Sequence, residues 1–136
     1  MILDVKLPIL GFENVLQVEF TEIDGMFCSI KNVSNDGIPA FTLINPFILK
    51  KDYTFDIPLS AKAVMDITSD SHLEVYNIVV LQNPIDKSYV NFLAPLVINK
   101  DTKTIGQVVL EENKYPFGPA ERLDTYLQKK ADEESK

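Results

Sequence analysis

From position 15 to 111 the chain is a succession of short apolar runs, each closed by a turn residue after roughly eight to twelve positions. This restricts the fold more than any other feature, because short strands with turns at that spacing argue for a small antiparallel barrel or sandwich. Val15 to Phe20 alternates, with Leu16, Val18 and Phe20 on one face and Gln17 and Glu19 on the other. Asp24-Gly25 turns into a second run, Met26 to Val33, and Ser34-Asn35-Asp36-Gly37 offers the positive φ of a tight hairpin before a third, Phe41 to Ile44. Tyr53, Phe55 and Ile57 alternate with Thr54 and Asp56, which predicts a half-buried fourth strand. Pro58 to Met65 fits one or two turns of crossover helix. Leu73 to Leu81 is the most apolar strand and reads as central.

Tyr89 to Asn99 is another extended run, but Pro95 cannot donate to a ladder, so a bulge or an open edge belongs there. Thr104 to Glu111 supplies the last strand, and none is assigned to the first ten residues. Gly118-Pro119 then starts a helix on which Ala120, Leu123, Leu127 and Ala131 share a face, with Asp132 to Lys136 as a charged tail. The expected architecture is mainly β: a small antiparallel barrel or sandwich with a short crossover helix and a C-terminal helix. Residues 1–118 form the β domain and 119–136 the helix and tail.

Twenty acids against thirteen bases leave a net charge of −7. A sequence-independent grip on nucleic acid needs the opposite sign, since it gains by neutralising phosphates. An anionic membrane would repel this chain too, and no apolar run approaches the length of a membrane span. A cationic macromolecule is what such a field attracts. A lone Cys28 and no secretory leader predict a reduced, cytoplasmic protein.

Catalytic chemistry finds little to work with. Cys28 lies in an apolar run and His72, the single histidine, has no local partner for a nucleophile pair. Asp66, Asp70, His72 and Glu74 gather near a turn without the glycine that a calcium loop uses, and read as a solvated loop. The five glycines build no phosphate-cradling loop, and the aromatics interleave with acids more than with bases. A non-enzymatic binding protein with no cofactor and no metal is the expectation.

A series of short strings gives that expectation a family. Gly11-Phe12-Glu13, Asn45-Pro46-Phe47, Asp52-Tyr53-Thr54-Phe55 and Val79-Val80-Leu81-Gln82 precede the block Val90-Asn91-Phe92-Leu93-Ala94-Pro95-Leu96-Val97-Ile98-Asn99. Gly106-Gln107-Val108-Val109-Leu110 and Tyr115 complete the order. Over residues 8 to 118 the chain resembles the flagellar assembly factor FliW family, most of all its Helicobacter and Campylobacter forms. Phe92 and the stretch Ile30-Lys31-Asn32 depart from the family pattern, and fewer residues than usual precede Gly11.

The resemblance implies a β-barrel-like protein without catalytic activity that binds flagellin and, in a second complex, CsrA, a small basic RNA-binding dimer. Holding CsrA away from flagellin messenger RNA, by an allosteric contact, would relieve repression of its translation. The alternative is a flagellin-specific cytoplasmic chaperone without a translational role. In either case no direct nucleic-acid or membrane contact is expected.

For binding, Asn45, Pro46 and Phe47 enter a loop whose phenyl ring suits an interface anchor, with Asp52 and Tyr53 just behind. Pro95 would leave an edge or groove for a guest segment. These loops, with Asn91, Pro95 and Asn99, are expected to border the protein-binding surfaces. Asn before Pro is equally good turn chemistry, and Phe47 is equally a candidate for the core.

Overall fold

The computed structural model describes residues 1–116 and 120–127. Its elements are β1 (Ile2–Leu7), β2 (Gln17–Glu22), β3 (Phe27–Asn32), β4 (Ala40–Ile44), α1 (Pro46–Leu49), α2 (Leu59–Val64), β5 (Leu73–Val80), β6 (Tyr89–Val90), β7 (Leu96–Asn99), β8 (Thr104–Gln107) and β9 (Glu121–Arg122). Hydrogen bonding runs β4-β3-β2-β1-β8-β7-β5, and a further β4–β5 pairing closes these seven strands into a barrel. Closure leaves these strands no free edge, the usual liability of a small sheet.

Turn chemistry shapes the hairpins as expected. The Asp24 carboxylate accepts the amides of Met26 and Phe27, both at 2.8 Å, between β2 and β3. Those two bonds hold its pKa below the usual carboxylate value. Between β3 and β4 the backbone enters positive φ at Asn35, Asp36 and Gly37. β1, which the turn pattern did not reveal, lies antiparallel to β2 and parallel to β8. It passes so near β8 that a Cβ on Gly106 would stand 2.8 Å from Cβ of Leu7. That close approach is what the glycine supplies.

Two apolar clusters flank the barrel wall. Leu3, Val18, Cys28, Ile30, Leu43, Leu96, Ile98 and Ile105 belong to the one that fills the barrel. Ile44, Val79, Val97 and Val108 belong to the other, beneath an outer layer contributed by Tyr53, Met65, Phe92 and Leu123. Strands β7 and β8 are therefore buried at every position. Each fully buried aliphatic side chain contributes about 1.5–3 kcal/mol, so the outer layer is as much a core as the interior.

Several sequence expectations change. The first predicted strand sits two residues later, leaving Leu16 71% exposed. Residues 53–57 keep a period-two burial pattern but pair with no strand. The run Tyr89 to Asn99 splits into β6 and β7, both on the same edge of β5. The predicted strand Thr104 to Glu111 ends at Gln107, although Val108 and Leu110 still donate to Pro95 and Leu93. At the C-terminus Glu121 and Arg122 form β9 against β6, and residues 123–127 are helical. The Gly118-Pro119 helix start and Ala131 lie outside the described residues.

Candidate functional site

The Asn45 side chain caps α1, accepting the Phe47 amide at 3.0 Å, with Pro46 at the first helical position. This is the usual entry to a helix. Pro46 is buried beneath it and Phe47 turns outward, 40% exposed. The Phe47 ring stands 6.0 Å from that of Tyr53, which meets Phe55 at 5.6 Å and Phe92 at 5.3 Å. Phe92 meets Tyr126 at 5.3 Å, and the Tyr126 hydroxyl donates to the Glu121 carboxylate. An aromatic chain thus runs from an exposed ring into the outer core.

Polar bonds fix that chain in place. The Tyr53 hydroxyl donates to the Phe92 carbonyl at 2.6 Å. The wholly buried Asn77 donates from Nδ2 to the Asn91 carbonyl at 2.6 Å and to Tyr53 Oη at 3.3 Å. Burial pushes the Tyr53 phenol up to about 12, which keeps it a neutral donor beyond the pH at which an ordinary phenol ionises.

The segment 91–95 is secured at every carbonyl. Besides the two bonds just named, Leu93 accepts from the Leu110 amide at 2.7 Å, Ala94 from Gln107 Nε2 at 3.2 Å, and Pro95 from the Val108 amide at 2.9 Å. The break that Pro95 imposes is therefore a bulge with its edge filled. Its five residues stand opposite only Asn77 and Ile78 of β5.

Of the predicted binding residues, Asn45, Pro46 and Phe47 share the start of α1, the Phe47 ring meets Tyr53, and Asn77 links Tyr53 to Asn91, with Asp52 exposed next to Tyr53 in the chain. Pro95 is buried in the bulge. Asn99 is also buried and its Nδ2 donates to the Met65 carbonyl at 2.9 Å, tying the end of α2 to the β7–β8 turn. Sequence reasoning missed Asn77, whose signal was a lone amide inside Leu73 to Leu81.

A second surface lies at one end of the barrel, where Leu10, Phe12, Phe41, Ile78, Val80 and Tyr89 line an apolar groove of about 280 Å³. Phe12 and Phe41 pack edge to face there, 5.0 Å between centroids.

Cys28 and His72 are not brought together. Cys28 is 1% exposed inside the barrel, with its thiol pushed up to about 12 by burial and by Glu22 and Glu74. His72 stands on the surface with Nδ1 2.9 Å from the Asp101 carboxylate. Glu74 pairs with Lys100 at 3.0 Å and accepts from Tyr76 at 2.7 Å. Among the described residues no group of three or more His, Cys, Asp or Glu is placed to hold a metal ion, and no helix is long and apolar enough to cross a membrane.

Known proteins supply an independent comparison. The model of the FliW protein family matches residues 1–119. Two proteins of Wolinella succinogenes are similar along most of their length. Flagellar assembly factor FliW 2 is 44% identical over 125 residues, covering 91% of this chain and 90% of that protein. Flagellar assembly factor FliW 1 is 43% identical over 129 residues, covering 94% and 99%. A crystal structure of the flagellar assembly factor FliW superposes with a TM-score of 0.81 at 25% identity, covering 90% of this chain and 84% of that one.

Proposed function

This chain belongs to the FliW family of flagellar assembly factors, and from that membership we propose that it acts by binding two proteins in turn, flagellin and the translational regulator CsrA. It works by occupancy, without catalysis, in the cytoplasm. While flagellin occupies it CsrA is free to repress flagellin messenger RNA. When flagellin has been exported, the chain takes CsrA off that message by an allosteric contact.

The match over 43–44% identical relatives carries this reading. The net charge of −7 supports it, because an acidic surface meeting a basic dimer gains in encounter rate and in partner choice. Phe47 is the proposed anchor, with Asn45, Pro46, Asp52 and Asn91 around it. Tyr53 and Pro95 act from within, through the bonds that hold segment 91–95, while Asn99 supports the frame by fixing the end of α2 to the β7–β8 turn.

Titrating purified flagellin into a preformed complex with CsrA tests the proposal. Release of CsrA in proportion to added flagellin is expected, and failure to bind either protein would overturn it. Binding flagellin while ignoring CsrA would leave a chaperone without a translational role.

A further inference from the structure

Residues 54–57 have the burial rhythm of a strand, with Thr54 and Asp56 exposed and Phe55 and Ile57 half-buried. Yet they belong to no sheet. The Asp56 amide donates to Tyr115 Oη at 3.1 Å. Among the described residues, the amides of Thr54, Phe55 and Ile57 and the carbonyls of all four residues have no protein partner. Successive residues of a strand aim their backbone groups at opposite edges. The groups of Phe55 and Ile57 therefore share the edge turned away from Tyr115. These two residues also line, with Asp56, Lys62, Ile67 and Leu73, an open cavity of about 470 Å³.

We propose that residues 54–57 form an open strand that takes up an extended segment of a partner protein, one carrying a basic residue between two apolar ones. A guest strand supplies the complementary amides and carbonyls that this backbone lacks, as in other strand-addition complexes. Its apolar residues, opposite Phe55 and Ile57, face the cavity, and its basic residue lies opposite the exposed Asp56. Opposite charges placed so across two strands attract.

The same geometry disfavours a second copy of this chain. Antiparallel self-pairing with Phe55 opposite Ile57 sets Asp56 directly against Asp56, a like-charge pair between two molecules of net charge −7. The inference rests on the reading above only in taking the partner to be a protein.

The test uses the full chain, isotope-labelled, titrated to millimolar levels with a blocked hexapeptide of alternating valine and lysine. The Phe55 and Ile57 amides are expected to shift and to exchange with solvent at least several-fold more slowly. Asp56→Lys should weaken that peptide a few-fold and turn preference toward an alternating valine–glutamate peptide. Unchanged exchange at both amides would overturn the proposal, as would a dimer of the free chain protected at those positions. Should flagellin or CsrA bind while the peptide leaves these amides exchanging freely, the open strand is refuted and the proposed function stands. Should the peptide protect them while both proteins are ignored, the open strand stands and the partner assignment falls.

Discussion

Two segments that read alike in sequence end in opposite conditions. Residues 53–57 and 91–95 are both short and aromatic-bearing, and each runs up to a proline, the first followed by Pro58 and the second closing on Pro95. In 91–95 all five carbonyls accept a bond, and residues 92–95 are buried. In 54–57 the backbone is almost wholly unclaimed by protein and two of the four residues are exposed. Local sequence set the extended tendency of both. What the rest of the chain placed alongside decided the difference: Asn77, Tyr53, Gln107 and residues 108–110 surround one, while the other borders an open cavity. A buried carbonyl must be satisfied within the molecule, whereas an exposed one can wait for water or a guest.

The comparison breaks most easily at Phe92. Its ring is wholly buried among Tyr53, Tyr126 and the outer cluster, so Phe92→Ala is expected to cost about 3–5 kcal/mol of stability, read from a urea unfolding midpoint. A loss under about 1 kcal/mol would mean that the closed segment is not the keystone of that layer. Next comes Asn77→Ala, which leaves the Asn91 carbonyl without its donor and takes a donor from the Tyr53 hydroxyl. About 1–3 kcal/mol should be lost. Because the two side chains share one network, the cost of Asn77→Ala combined with Tyr53→Phe should depart from the sum of the single costs.

The same network sets a pH dependence. The Tyr53 phenol titrates near 12 in the folded chain, above its ordinary value of 10, because burial disfavours the phenolate. Stability from this group is therefore complete below about pH 10 and is lost as pH rises from there through 12. Absorbance titration comparing wild type with Tyr53→Phe should show one phenol missing from that upper range. If the missing phenol titrates near 10, the hydroxyl is not sealed against the bulge.

Much of this architecture was legible, and the failures have physical causes. Asp24-Gly25 and Ser34 to Gly37 announced their turns because a turn is a local problem solved by local residues. β1 is hard to read although Leu3, Val5 and Leu7 alternate with Asp4 and Lys6, since a long connection, residues 8–16, separates it from β2 and its other partner, β8, lies about a hundred positions away. The Pro95 break was visible, but not which neighbours would fill it. Phe47 was readable as an outward ring or as core with equal ease, and only the Asn45 cap with Pro46 beneath decided it. Asn99 drew attention through its place in a family string, yet its amide serves Met65 and Asp101 inside the fold. Side-chain identity shows what bonds a residue can make; the folded topology decides with whom.

The smallest expected effect lies at the open segment and is the sharpest check on the contrast. Thr54 is exposed, and neither its side chain nor its amide has a protein partner among the described residues. Thr54→Ala should therefore change stability by no more than about 0.5 kcal/mol. Amide exchange in the unaltered chain should agree: Phe55 and Ile57 exchange through local exposure, while Val97 and Ile98 in β7 wait for global opening. A large loss from Thr54→Ala, or slow exchange at Phe55 and Ile57 in the free chain, would place this backbone in a bonded structure of its own. The two segments would then differ in degree only, and the acceptor role proposed for 54–57 would lose its physical basis.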